Sequence, residues 1–87
     1  MGYKIFFTKT AQKDLPKIKS AKLLNKLKLL VDLMMENPFQ VPPPYEKLAG
    51  DLGGKYSRRI NLQHRLIYEI NESQQIVKIL RMWTRYE

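Results

Sequence analysis

The chain has no cysteine and only one histidine among its 87 residues. The first absence removes disulfides, thiolate nucleophiles and cysteine–zinc sites together, and it suits a reducing, cytoplasmic setting. The second leaves too few ligands for a zinc site; the carboxylates are scattered, and no metal centre is expected. A single histidine, His64, also gives no basis for a Ser/His/Asp constellation. Glycine is scarce, and the DLGG of residues 51–54 lacks the lysine and the spacing of a phosphate-cradling loop. No apolar run approaches the ~20 residues that a membrane crossing takes. The opening MGYKIFFTKT has neither the apolar core nor the cleavage site of a signal peptide. Acidic residues are few: eight Asp and Glu stand against sixteen Lys and Arg, a formal net charge of +8. Such a field draws polyanions at long range, and nucleic acid is preferred over charge kept for solubility alone.

What is present reads as one domain, residues 1–87, with 44% hydrophobic residues and so enough apolar material for a core. YKIFFT, residues 3–8, is aromatic-rich and predicts an N-terminal strand. Thr8 or Thr10 can cap a helix through AQKDL, which Pro16 should kink or end early. Ser20 reads as the next N-cap, and Leu23, Leu27, Leu30, Val31 and Met34 recur at helical spacing until Asn37-Pro38 stops the helix. Residues 38–54 carry a triple proline and three glycines, which predicts an ordered loop rather than a helix or central strand. Loops of this length in small domains are often functional. Three strands follow, at 55–61, 64–70 and 75–83, with NESQ as a turn. The order predicts an α+β fold: an N-terminal strand, two helices, then a mostly antiparallel sheet with the helices packed on one face.

Within the hairpin SRRINLQHRLIYEI, alternation assigns faces. Pairing Ile60 with Leu66 puts Tyr56, Ile60, Leu62, Leu66, Tyr68 and Ile70 on one apolar face. Ser57, Arg59, Asn61, Arg65, Ile67 and Glu69 then share the other. Arg59 and Arg65 become cross-strand neighbours, either as two solvated arginines, or with Arg65 paired to Glu69 along the strand, or as a fork pair suited to phosphate. His64 has apolar-face parity, which favours a hydrogen-bonded structural role over a general base. Arg58 has that parity too and should snorkel at the sheet edge.

The remaining polar set is one loop carboxylate, Glu46, several arginines and a tyrosine-rich tail. It permits, without demanding, metal-free cleavage of RNA: a base takes the 2′-hydroxyl proton, cations stabilise the phosphorane, and an acid protonates the leaving oxygen. A second class fits as well, a basic module that binds RNA without cutting it and stacks bases on Tyr56, Trp83 and Tyr86. A lysine-rich helix lying on anionic membrane ranks last, because so small a chain needs that helix's apolar stripe for its core.

The string PPPYEKLAGDLGGKYSRRINLQHRLIYEI, followed by KILRMWTRYE, resembles the Txe/YoeB toxins of the RelE superfamily. PPYEKL, YSRRI, HRLIYE and the terminal MWT-x-YE are its most specific parts, and FFTKTAQKDL through ENPF is similar to the family's helical part. The resemblance implies a RelE-like toxin of a type II toxin–antitoxin module. Such toxins are ribosome-dependent mRNA endonucleases that need no metal or other cofactor and act through the 2′-hydroxyl. It implies three partners: the ribosome, its mRNA and a YefM-like antitoxin whose C-terminal segment covers the active site. A homodimer stays open, and no membrane is involved. By match to the motif, Glu46 would be the general base, Arg65 would stabilise the scissile phosphate with Arg59 in support, and Tyr86 would position the substrate. Lys47 is the candidate for a second basic residue that the family often carries after the glutamate. The chain departs from the pattern at Arg85, where the family usually reads MWTHYE with histidine as general acid. A guanidinium is a poor proton donor, with a pKa above ~12. RNA binding is then expected to persist while cleavage falls. An attenuated variant and a natural homologue with another donor, Tyr86 or Lys47, both remain open.

Overall fold

The computed structural model describes residues 2–41, 44–48 and 54–85; of Thr84 and Arg85 it describes the backbone. The chain runs β1 (Lys4–Phe7), α1 (Lys9–Ser20), α2 (Leu24–Glu36), β2 (Tyr45–Lys47), β3 (Lys55–Arg59), β4 (His64–Asn71) and β5 (Ile76–Arg85). The five strands form one sheet in the order β1-β5-β4-β3-β2. β1 lies parallel to β5, and the other neighbours are antiparallel. The fold is α+β, as the sequence pattern predicts.

Thr8 makes the first junction. Its hydroxyl accepts from the Ala11 N–H at 3.1 Å and donates to the Leu80 carbonyl at 3.1 Å, capping α1 while pinning it to β5. α1 continues through Pro16 to Ser20, so it does not end early there. The ring removes a bond to the Gln12 carbonyl, but Gln12 and Pro16 are both exposed, so water can take that carbonyl. Ser20 is therefore the last residue of α1 and not the cap of α2; Leu23 holds that position without a side-chain bond. The turn between the helices is a Schellman motif, with Lys22 N–H to the Lys19 carbonyl and Leu23 N–H to the Ile18 carbonyl. It requires Lys22 to adopt φ 61°, which an L-residue resists.

The helices cover one face of the sheet. Ala11, Ile18, Leu27, Leu30 and Met34 meet Leu66, Tyr68, Val77, Ile79 and Met82 in one buried cluster. The end of β5 extends past β1, and there α1 supplies a partner. The buried Asp14 carboxylate accepts from the backbone N–H of Met82 at 3.0 Å and of Trp83 at 3.3 Å, and from Arg81 Nε at 3.4 Å. An acidic residue in AQKDL carries no sequence signal for that role.

The hairpin register differs from the expected one. Arg58, not Ile60, pairs with Leu66, and Arg59 pairs directly with Arg65. A tight turn accounts for the shift: Asn61 Oδ1 accepts from the N–H groups of Gln63 at 2.9 Å and His64 at 2.7 Å. Leu62 sits at the tip of this turn and is 83% exposed, so it is not on the apolar face. The slide is two residues, an even number, and the other face assignments therefore survive it. Arg58 does not snorkel. It is 1% exposed, because loop carbonyls and two tyrosines reach it inside the protein. The predicted loop also contains a strand, the three-residue β2 at the sheet edge.

Candidate functional site

The pairing pattern fixes which residues share the helix-free face. Glu46 on β2 pairs with Ser57 on β3, Ser57 with Ile67 on β4, and Arg59 with Arg65. Cross-strand partners lie on one face, so Glu46, Ser57, Arg59, Arg65 and Ile67 line the side away from the helices. Glu46 and Arg59 are exposed, and Arg65 is half-buried. Strands lie ~4.8 Å apart and residues ~3.4 Å along them, so Glu46 and Arg65, two strands and two residues apart, are separated by roughly 12 Å between Cα atoms. Extended glutamate and arginine side chains can converge from that spacing on one group between them.

Directly opposed like charges cost stability on a sheet. Arg59 and Arg65 occupy such a pair. Ser57 adds a hydroxyl to the floor of this face; it is 1% exposed, and its Oγ has no hydrogen-bond partner among the described residues. Sequence reasoning did not single it out, although its parity with Arg59 was legible.

Lys47 follows Glu46 and pairs with Tyr56, which puts it on the opposite side of the sheet. Arg85 ends β5, and its backbone pairs with His64, while Thr84 pairs with Arg65. Tyr86 lies outside the described residues. His64 is 4% exposed and stacks on Trp83, the ring centroids 3.7 Å apart and the planes 16° from parallel. Its Nδ1 makes no hydrogen bond among the described residues, and the stacking on Trp83 is a contact that parity alone does not foretell. Among those residues no group of three or more His, Cys, Asp or Glu could hold a metal ion, and no helix is long and apolar enough to cross a membrane.

A two-helix layer over a five-stranded sheet is the arrangement of the YoeB/RelE-like toxins. Solved structures show the likeness. The YoeB/ParE toxin from Agrobacterium tumefaciens superposes with a TM-score of 0.84 at 27% identity, over 95% of this chain and 99% of that one. The YoeB dimer from Staphylococcus aureus gives 0.82 at 29% identity, over 99% of this chain and 100% of that one. The YoeB of the Staphylococcus aureus YoeB-YefM complex gives 0.79 at 29%, with the same coverage. In sequence, the toxin YoeB of Synechocystis sp. is 43% identical over 49 residues, 56% of this chain and 57% of the relative. The chain thus matches a little over half the length of that curated relative. The sequence model of the family described as YoeB-like toxin of bacterial type II toxin-antitoxin system matches residues 7–86. The chain belongs to this family of YoeB-like toxins.

Proposed function

We propose that the chain is a ribosome-dependent, metal-independent mRNA endonuclease, formed by a single domain over residues 1–87 and working in the cytoplasm. The observation that carries this reading is the shared face of Glu46, Arg59 and Arg65 on three adjacent strands. On this reading the Glu46 carboxylate takes the proton of a ribose 2′-hydroxyl. The freed oxygen attacks the adjacent phosphorus and displaces the 5′ oxygen of the next nucleotide, leaving a cyclic phosphate. Arg65, with Arg59 beside it, neutralises the charge gathering on the phosphorane oxygens. No metal or other cofactor takes part. Lys47 is turned away from Glu46 and would meet RNA only along its backbone. Tyr86 would position the substrate.

The leaving oxygen needs a proton, and Arg85 stands at the position where the family's histidine gives one. Loss of a general acid costs on the order of 10²–10⁴-fold. We therefore expect attenuated cleavage with RNA binding retained. Arg85→His should raise translation-coupled mRNA cleavage, and Glu46→Gln should abolish it while binding persists. Cleavage unchanged by Glu46→Gln removes Glu46 as the base. Arg85 also supports a second reading, a basic module that holds RNA and never cuts it. That reading is selected if Arg85→His gains no activity while affinity for free RNA stays steeply salt-dependent.

The partners follow from the same reading. Staphylococcus aureus YoeB is found with YefM and also as a dimer. For this chain we infer a YefM-like antitoxin whose C-terminal segment covers the helix-free face, and self-association as a homodimer in its absence. Co-expression with an acidic neighbour protein and sizing of the complex tests both.

A further inference from the structure

β2 carries Glu46, yet it is three residues long and laddered to the sheet on one side only. So short an edge strand specifies its own register poorly, and a slip of one residue would turn Glu46 to the helix side. The buried Arg58 stands against it. Arg58 is the cross-strand partner of Tyr45, and its Cζ lies 5.0 Å from the centroid of the Tyr45 ring. The same guanidinium donates from Nη2 to the carbonyls of Pro38 and Gln40, at 2.9 Å each, and from Nε to the Tyr68 hydroxyl at 3.0 Å. The Tyr45 ring also meets Phe39 and Tyr56 edge-on, with centroids 6.4 and 5.7 Å away. One cation thus joins the chain leading into β2, β2 itself, β3 and β4.

Burial of a guanidinium is costly, and an apolar side chain of similar volume often fills such a space as well or better. A buried charge met by directional acceptors and a ring face does one thing that an apolar side chain cannot: it admits a single arrangement of its neighbours. We propose that Arg58 is a positioning residue for Glu46. It holds Tyr45 inward, and strand alternation then holds the Glu46 carboxylate outward, facing Arg59 and Arg65. At 1% exposure Arg58 touches no substrate and acts only through Tyr45. The catalytic consequence rests on the nuclease reading; the mechanical one does not.

Three variants test it. Arg58→Lys keeps the charge but loses the planar fork that spans three acceptors. Arg58→Met keeps apolar bulk alone. Tyr68→Phe removes one acceptor and leaves the core packing intact. Amide exchange at Tyr45–Lys47 is followed beside that of Leu66, Val77 and Ile79, together with kcat and KM for cleavage of ribosome-bound mRNA. In Arg58→Lys, β2 protection should fall at least ~10-fold with the core amides unchanged. kcat should fall on the order of 10²-fold, the cost of misplacing a reacting group by about 1 Å, with KM held within about twofold. Tyr68→Phe should move both readouts the same way by less. The proposal is overturned if β2 protection is unchanged in both Arg58 variants. It is also overturned if protection falls equally at every amide, or if β2 loosens while kcat holds. A chain that cuts nothing even as Arg85→His refutes the nuclease reading alone, and exchange at β2 still decides whether Arg58 locks the strand.

Discussion

Replacement of Asp14 by alanine should be among the most damaging single changes outside the site. The carboxylate is 3% exposed and accepts two backbone N–H groups of β5, from the fully buried Met82 at 3.0 Å and from Trp83 at 3.3 Å. Alanine leaves both donors without this acceptor, and an unsatisfied buried donor costs about 1–3 kcal/mol. The ion pair to Arg81 adds little, since the arginine side chain is 49% exposed and such pairs give about 0–1 kcal/mol. Trp83 is only half-buried and its donor costs less, so the expected total is about 2–4 kcal/mol for Asp14→Ala, a large part of the 5–15 kcal/mol that holds a typical domain. Asparagine keeps an amide oxygen in place and should cost only about 1 kcal/mol, the loss of charge assistance. Denaturant unfolding measures both, with the slope m unchanged if the two-state transition persists. An alanine variant within about 0.5 kcal/mol of wild type refutes the capping role. An asparagine variant as damaging as alanine shows that charge, and not an acceptor for β5, is what the site requires.

Lys22 holds φ 61° at the helix–helix turn; Lys22→Gly should therefore stabilise the fold by about 0.5–1 kcal/mol in thermal unfolding, the released strain exceeding glycine's entropy loss. The Tyr68 hydroxyl has its pKa raised, by burial above all, against a lowering influence of Arg58. Its folded pKa thus lies above its unfolded one, so the unfolded chain loses its proton first. The stabilising contribution is intact below about pH 10 and is lost as pH rises through the folded value. Urea unfolding between about pH 9 and 11 should show a shallower alkaline decline in Tyr68→Phe than in wild type, and equal slopes refute the assignment. Leu62 is 83% exposed at the hairpin tip, so Leu62→Ser should change stability by less than about 0.5 kcal/mol.

The sequence made the faces of the sheet legible but not its register. Alternation alone assigned Arg59 and Arg65 to one side and Leu66 and Tyr68 to the other, and both assignments hold even though the pairing slid by two residues. Period-two patterning is blind to an even shift; the Asn61 side chain, accepting two turn N–H groups, decides it. β2 was hidden because three residues between a proline run and glycines leave no periodicity to read. At Pro16 propensity predicts a kink or an early end because it sees the missing N–H and not the solvent beside Gln12. Asp14 was legible only as a helix residue, since its partners lie 68 and 69 positions away.

Two adjacent arginines of like chemistry take opposite fates because a strand turns each residue over. Arg59 faces outward opposite Arg65, on the exposed side of the sheet. Arg58 faces inward, where its charge is met by carbonyls and tyrosines and its planar fork orders them. Lysine would serve the first place tolerably, as a point charge toward phosphate, and the second badly, having no fork to span three acceptors. The RR of SRRI is thus not one basic patch but two residues in two environments, and the same alternation that divides them also sets Glu46 and Tyr45 on opposite sides of β2. Charge density along the chain cannot distinguish these roles, whereas parity, combined with knowledge of which face the helices cover, does.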